Sequence, residues 1–147
     1  AFAKDILQGL NNKKFLFIIA DPNQEDCPIT FVSEAFSSFT GYNQDDFVGQ
    51  NIRMLYGSET DAQGVAEMES RLGAGEEHRC TLACYRKDGS KFYNQMHCCP
   101  SLGADGKVSF VVGVFQEVDE EGKPIEETMP SRAKEVAASL LGPENEE

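Results

Sequence analysis

Five cysteines and two histidines are the obvious places to look for chemistry in this chain of 147 residues. The thiols are Cys27, Cys80, Cys84, Cys98 and Cys99, an odd number with no CxxC pair. Cys80 and Cys84 have only His78 close in sequence, too sparse a set for a zinc site. His78 and His97 are isolated from each other and predict no metal; an axial haem contact from His97 is an alternative, but it falls on the strand face opposite Asn94. No Ser-His-Asp or Cys-His signature occurs, no glycine-rich loop could cradle a phosphate, and no carboxylate stands in a context that raises its pKa. An enzyme is not expected. Asn94 is different: it interrupts Phe92, Met96 and Cys98 on one strand face, and an amide among apolar side chains must find a partner. That partner could be a backbone group, a buried water or a planar ligand.

Composition narrows the setting. Net charge is −12, from 25 acidic and 13 basic residues, which argues against nucleic acid or an anionic membrane as a partner of this segment. Much of the excess is late: residues 117–147 hold ten acidic and three basic residues, and read as a solvated end. No apolar run is long enough to cross a bilayer. Free thiols fit a reducing, intracellular compartment, cytoplasmic or nuclear. The chain opens on Ala1, as a fragment or processed segment would.

The elements that must position these residues follow from periodicity and turn chemistry. Phe2, Ile6, Leu7 and Leu10 predict a short amphipathic helix. FLFIIAD (15–21) and ITFV (29–32) read as strands, joined through PNQEDCP. Ser33 is the expected cap of a helix through SEAFSSF, broken at Gly41. Helical turns are expected near 44–48 and 51–55. Thr60 with Gln63 reads as a capping box opening a helix to about Leu72, closed by Gly73. HRCTLACYRK, SKFYNQMHCCPSL and KVSFVVGVFQEV, separated by Asp88-Gly89 and Asp105-Gly106, predict three antiparallel strands. Ser131 to Gly142 predicts a C-terminal helix. The sum is an α+β domain with one antiparallel sheet and helices on one face.

Alternation assigns the faces. Phe92, Asn94, Met96 and Cys98 share one; Tyr93, Gln95, His97 and Cys99 share the other. On the last strand Val111, Gly113 and Phe115 share one face and Phe110, Val112 and Val114 the other, so that strand is apolar on both. The surplus face of Phe110, Val112 and Val114 calls for a cover: a flanking helix, a second copy or another protein.

The stretches FIIADPNQEDCPITFVSEAFSSFTGY, GQNIRMLYGSETD and YRKDGSKFYNQMHCCPSLGADGKVSFVVGV resemble PAS domains of the LOV (light-oxygen-voltage) subclass, the flavin-binding blue-light sensors, from about Phe15 to Val118. They resemble less closely the PAS domains that cap certain potassium channels. The resemblance implies a PAS fold with a five-stranded antiparallel sheet, residues 1–14 as an N-terminal flanking helix, 15–118 as the core, and 119–147 as linker, C-terminal helix and acidic tail. In LOV domains the short helix carries Asn-Cys-Arg, and light bonds that Cys to the flavin. Here the position is Ile52, which has no nucleophile. Asn51, Arg53, Leu55 and Asn94 match the family pattern, with Arg53 toward the flavin phosphate and Asn94 on the ring edge; Met96, Cys98 and Phe115 would complete the pocket. A substitute adduct from Cys98 is not expected, because attack needs aligned approach.

Several positions depart from the pattern. Tyr56 stands for Gln, Glu69 for a second phosphate-binding Arg (with Arg71 nearby), Cys84 for the first ring-binding Asn, Cys27 for the Asn before Pro28, and Phe115 for the signalling Gln. Gln116 is one residue off and points to the opposite face. A carboxylate at Glu69 repels a phosphate. The expectation is therefore a LOV-like sensory or regulatory module with no adduct chemistry, poor flavin binding and no resident cofactor, acting through protein–protein contact or homodimerisation at its sheet face. The alternatives are a cysteine-less sensor that binds flavin mononucleotide (FMN), responding to light or reduction, and a PAS domain holding another small ligand or haem.

Overall fold

The computed structural model describes residues 15–125. The two predicted flanking helices and residues 126–147 of the acidic end lie outside the described residues. β1 (Phe17–Ala20) and β2 (Ile29–Val32) are followed by helix α1 (Glu34–Thr40), the single turn α2 (Gln44–Phe47), a 3-10 turn (Ile52–Leu55) and α3 (Ala62–Gly73). The chain then runs through β3 (His78–Tyr85), β4 (Lys91–Leu102) and β5 (Val108–Val118). The strands form one five-stranded sheet in the order β2-β1-β5-β4-β3, with every pair antiparallel. The first two strands thus join the last through β1 and β5, and all five elements of the predicted sheet are present.

Local chemistry sets the boundaries. The side chain of Ser33, fully buried, accepts from the Phe36 N–H at 3.2 Å and caps α1; the same oxygen accepts from the Phe17 N–H of β1 at 3.1 Å. Asn51 Oδ1 accepts from the Arg53 N–H at 2.9 Å and opens the 3-10 turn. The cap of α3 differs from expectation. Asp61, not Thr60, accepts from the Gln63 N–H, at 3.2 Å. Thr60 is used elsewhere: its hydroxyl donates to the Ala83 carbonyl at 2.6 Å and accepts from the Gly57 N–H at 2.9 Å, which ties the loop before α3 to β3. α3 runs through Gly73, and the left-handed residue after it is Gly75 rather than Gly73. Both Asp-Gly turns behave as expected, with Gly89 and Gly106 at φ of 88° and 79°, values that a side chain would resist.

The core lies between the helices and the inner face of the sheet, where Phe36, Phe47, Leu55, Met68, Leu82, Phe92, Met96 and Phe115 are buried together. Arg86, at the end of β3, is wedged between the rings of Phe39 and Phe92 at 4.6 and 4.8 Å and donates to the Phe39 carbonyl at 3.1 Å, joining α1 to the sheet. The outer face is also closed to solvent at β5: Val112 is 0% and Val114 7% exposed, and Phe110 is half-buried. Of the three residues expected to form an interaction surface, Val112 and Val114 are thus closed to solvent and Phe110 is partly exposed.

Candidate functional site

A cavity of about 240 Å³ remains inside this arrangement. Its floor is the inner face of the sheet at Ile18, Ala20, Met96, Cys98, Val111, Gly113 and Phe115. Its walls are Asn51, Ile52 and Tyr56 around the 3-10 turn and Met68, Glu69, Leu72 and Gly73 of α3, with Pro22 and Cys27 from the loop after β1. Alternation on β4 and β5 brings Met96, Cys98 and Phe115 here, as predicted.

Phe115 shapes the space. Its ring stands 4.6 Å from that of Phe36, centroid to centroid, and folds back over Gly113. A Cβ at residue 113 would lie 3.2 Å from the Phe115 ring, so glycine leaves the room that the ring occupies. The predicted bulk of Phe115 inside the pocket is thus realised.

Of the residues expected to hold a cofactor, Asn51, Met96, Cys98 and Phe115 line this cavity together with Ile52, whereas Arg53, Leu55 and Asn94 do not. Leu55 is fully buried in the core. Asn94, 1% exposed, directs its amide Nδ2 to Cys84 Sγ at 3.9 Å, so the partner that this amide required is a thiol. Arg53 is half-exposed and forms an ion pair with Asp26, which holds the guanidinium above its ordinary pKa. Asn51 joins the same contact, donating from Nδ2 to the Asp26 carbonyl at 2.8 Å. Asp26 and Cys27 take positive φ values of 68° and 45°, so these bonds secure a loop in backbone that L-residues rarely adopt. Arg71 is engaged as well, 3.4 Å from Glu67 and 3.5 Å from Glu76. Asp26 was missed in the sequence because PNQEDCP reads only as a turn; nothing local reports a partner 27 residues ahead.

Burial dominates the titration of the site. It pushes the Cys80 thiol up to about 11 and the Cys84 thiol up to about 12, the latter against the opposing Asn94 hydrogen bond. Cys98 is raised as well, first by burial and then by Cys80 and Cys99. The Tyr56 phenol is raised chiefly by burial, and its Oη, shut off from solvent, has no hydrogen-bond partner among the described residues. Cys27, half-buried beside the cavity, is raised first by burial and then by Asp21, Asp26 and Glu69. These thiols are protonated at neutral pH, and the thiol is a poor nucleophile.

His97 is less isolated than its sequence neighbourhood implies. On the outer face, ligand atoms of Glu77, His97 and Cys99 lie within 4.8 Å of one another. The pairing of His78 with Cys98 creates this group, and counting back from the Asp88-Gly89 turn would have found it. A guanidinium only donates, so the 3.3 Å contact of Arg79 Nη2 with His97 Nδ1 makes Nδ1 the acceptor. Nε2 then carries the hydrogen and donates to Glu77 at 3.0 Å, so both ring nitrogens find partners within the protein.

Comparison with known proteins agrees with this geometry. A family profile described as "PAS domain" matches residues 15–120. The chain is 36% identical over 107 residues to "Blue-light-activated histidine kinase 1" of Erythrobacter litoralis, covering 73% of this chain and 30% of that protein. It is 34% identical over 116 residues to "Blue-light photoreceptor" of Listeria monocytogenes, covering 79% of this chain and 46% of that one. The chain thus spans less than half the length of these curated relatives. Among solved structures, one described as "Flavin Analogue Sheds Light on Light-Oxygen-Voltage Domain Mechanism" superposes with a TM-score of 0.74 at 32% identity, covering 97% of this chain and 96% of that chain. A LOV domain from an Erythrobacter litoralis blue-light activated histidine kinase superposes at 0.69 with 34% identity, covering 72% of this chain and 97% of that chain. The chain belongs to the PAS domain family, and within it to the LOV type of sensory module.

Proposed function

We propose that this LOV-type module works without a cysteinyl–flavin adduct, holds FMN weakly, catalyses no reaction, and acts by contact through its sheet. The observation that carries this reading is the small size of the cavity. About 240 Å³ is below the roughly 300–1,000 Å³ of pockets that enclose drug-sized ligands. Phe115 takes part of the space, and Asn94 and Leu55 are packed away from what remains. Ile52 lines the cavity and offers no nucleophile. Arg53, the residue that the LOV pattern would set against a phosphate, already has a carboxylate partner in Asp26.

The test is the visible absorption spectrum of the purified protein, before and after excess FMN and desalting. No retained flavin band is expected. A structured blue-absorbing band that survives desalting would refute weak binding. It would favour a cysteine-less FMN sensor of light or redox state, a second reading supported by the fact that Asn51, Met96 and Cys98 still share one cavity.

For output, the outer face at Val112 and Val114 is the proposed docking surface for a flanking segment of this chain, and a second copy could reach it only by displacing that cover. Its support is the apolar stripe, closed to water at both positions. Val112→Asp should weaken dimerisation or the docking of a flanking helix; unchanged mass in solution together with unchanged amide protection would refute it. The attached effector does not follow from the fold, because one sensory scaffold serves many outputs.

A further inference from the structure

We propose that the cavity is a binding site for a small aromatic molecule of one or two rings that carries no negative charge, with a cation preferred over a neutral ring. This deepens the reading that FMN is held weakly, and rests on it.

Size sets the first limit. A dry cavity of about 150 Å³ takes benzene, so about 240 Å³ suits roughly ten non-hydrogen atoms, the size of a bicyclic ring. The lining sets the second. Ile52, Met68, Leu72, Met96, Val111 and Phe115 offer apolar and thioether contacts, which suit a ring.

Charge at the rim sets the third. Glu69 lines the cavity, is exposed, and makes no ion pair among the described residues. Asp21, Asp26 and Glu69 all act on the Cys27 thiol beside it. Arg53 is paired with Asp26 and acts more weakly on Glu69, and Arg71 is shared between Glu67 and Glu76, so Asp21, Asp26 and Glu69 together outweigh the one guanidinium of Arg53. An entering anion therefore meets unbalanced carboxylates, and an entering cation is drawn in.

The experiment titrates the full chain with three probes of one ring system: tryptamine, indole and indole-3-acetate, followed by amide NMR. Saturable shifts are expected at Ile52, Cys98 and Val111, with tryptamine binding about tenfold more tightly than indole-3-acetate, a modest and partly screened field effect. Glu69→Gln, at an exposed helix position, should narrow that ratio to about threefold or less. The inference is overturned if no probe gives saturable shifts, if the shifts fall away from the cavity, if the acetate binds as well as the amine, or if Glu69→Gln leaves the ratio unchanged. An FMN titration run alongside separates the two claims. Tight FMN binding overturns the weak-flavin reading and this inference with it; weak FMN with silent indoles overturns this inference alone.

Discussion

Replacing Phe115 with alanine tests the packing that limits the cavity. Phe115 is 4% exposed, its ring is 4.6 Å from that of Phe36, and its edge covers Gly113. Removing a buried phenylalanine ring costs about 3–5 kcal/mol, from lost transfer energy and from the space left behind. Here the ring already borders open volume, so part of its surface makes no contact to lose. The expected loss is therefore at the lower end, about 3 kcal/mol, with the aromatic pair to Phe36 included. For a chain of this length that corresponds to a fall in Tm of about 6–12 °C. The assay is equilibrium urea unfolding followed by far-UV circular dichroism, with the slope m unchanged so that the midpoint reports stability. A loss under about 1 kcal/mol would refute the reasoning, because it would mean that the ring does not fill the space ascribed to it. The variant Phe115→Leu keeps most of the volume and should recover more than half of the loss.

Four other outcomes follow from the site. Tyr56→Phe should be neutral or stabilising by up to about 1 kcal/mol, since a buried hydroxyl without a partner costs desolvation and returns nothing; a loss above about 1 kcal/mol in urea unfolding would show a hidden partner. Asp26→Asn should release Arg53 and raise affinity for FMN severalfold while leaving affinity for riboflavin unchanged, and equal gains for both flavins by fluorescence titration would refute a phosphate effect. The thiols give a pH dependence of defined sign. Cys80 and Cys84 are raised from 9.0 to about 11 and about 12, so the folded state keeps protons that the unfolded chain gives up. Their contribution is fully present below about pH 9 and is lost as pH rises from there through 11 to 12. Unfolding midpoints under reductant should thus be lower at pH 10.5 than at pH 8. In the folded protein iodoacetamide should label the half-buried Cys27 and Cys80 before the buried Cys84, Cys98 and Cys99, and prior labelling of Cys98 would contradict this order.

The sheet was legible from the sequence because its signals are local. The Asp-Gly turns fix two hairpins, and alternation assigns Met96, Cys98 and Phe115 to one face without knowledge of the rest. Ser33 was legible for the same reason, as a hydroxyl before an apolar helical pattern. The α3 cap was misplaced by one residue because Thr60 and Asp61 are both good caps, and a distant carbonyl, that of Ala83, claims the threonine. Arg53 and Asn94 were assigned to a ligand because their types match the LOV pattern. Which partner each takes depends on contacts across the fold, with Asp26 and Cys84, that a linear pattern does not encode. Glu77 escaped notice although strand register alone would have placed it beside Cys99.

The buried oxygen of Ser33 has a consequence for how the chain can move. It holds the first turn of α1 and the Phe17 amide of β1 at once, at 3.2 and 3.1 Å. A slip of β1 by one residue, about 3.3 Å, would pull that amide away from the Ser33 oxygen and leave it a buried donor without this partner. The start of the helix is therefore a checkpoint for the alignment of the strand. Any signal that travels along β1 must either leave its register untouched or loosen α1 in the same event, so strand and helix answer as one unit.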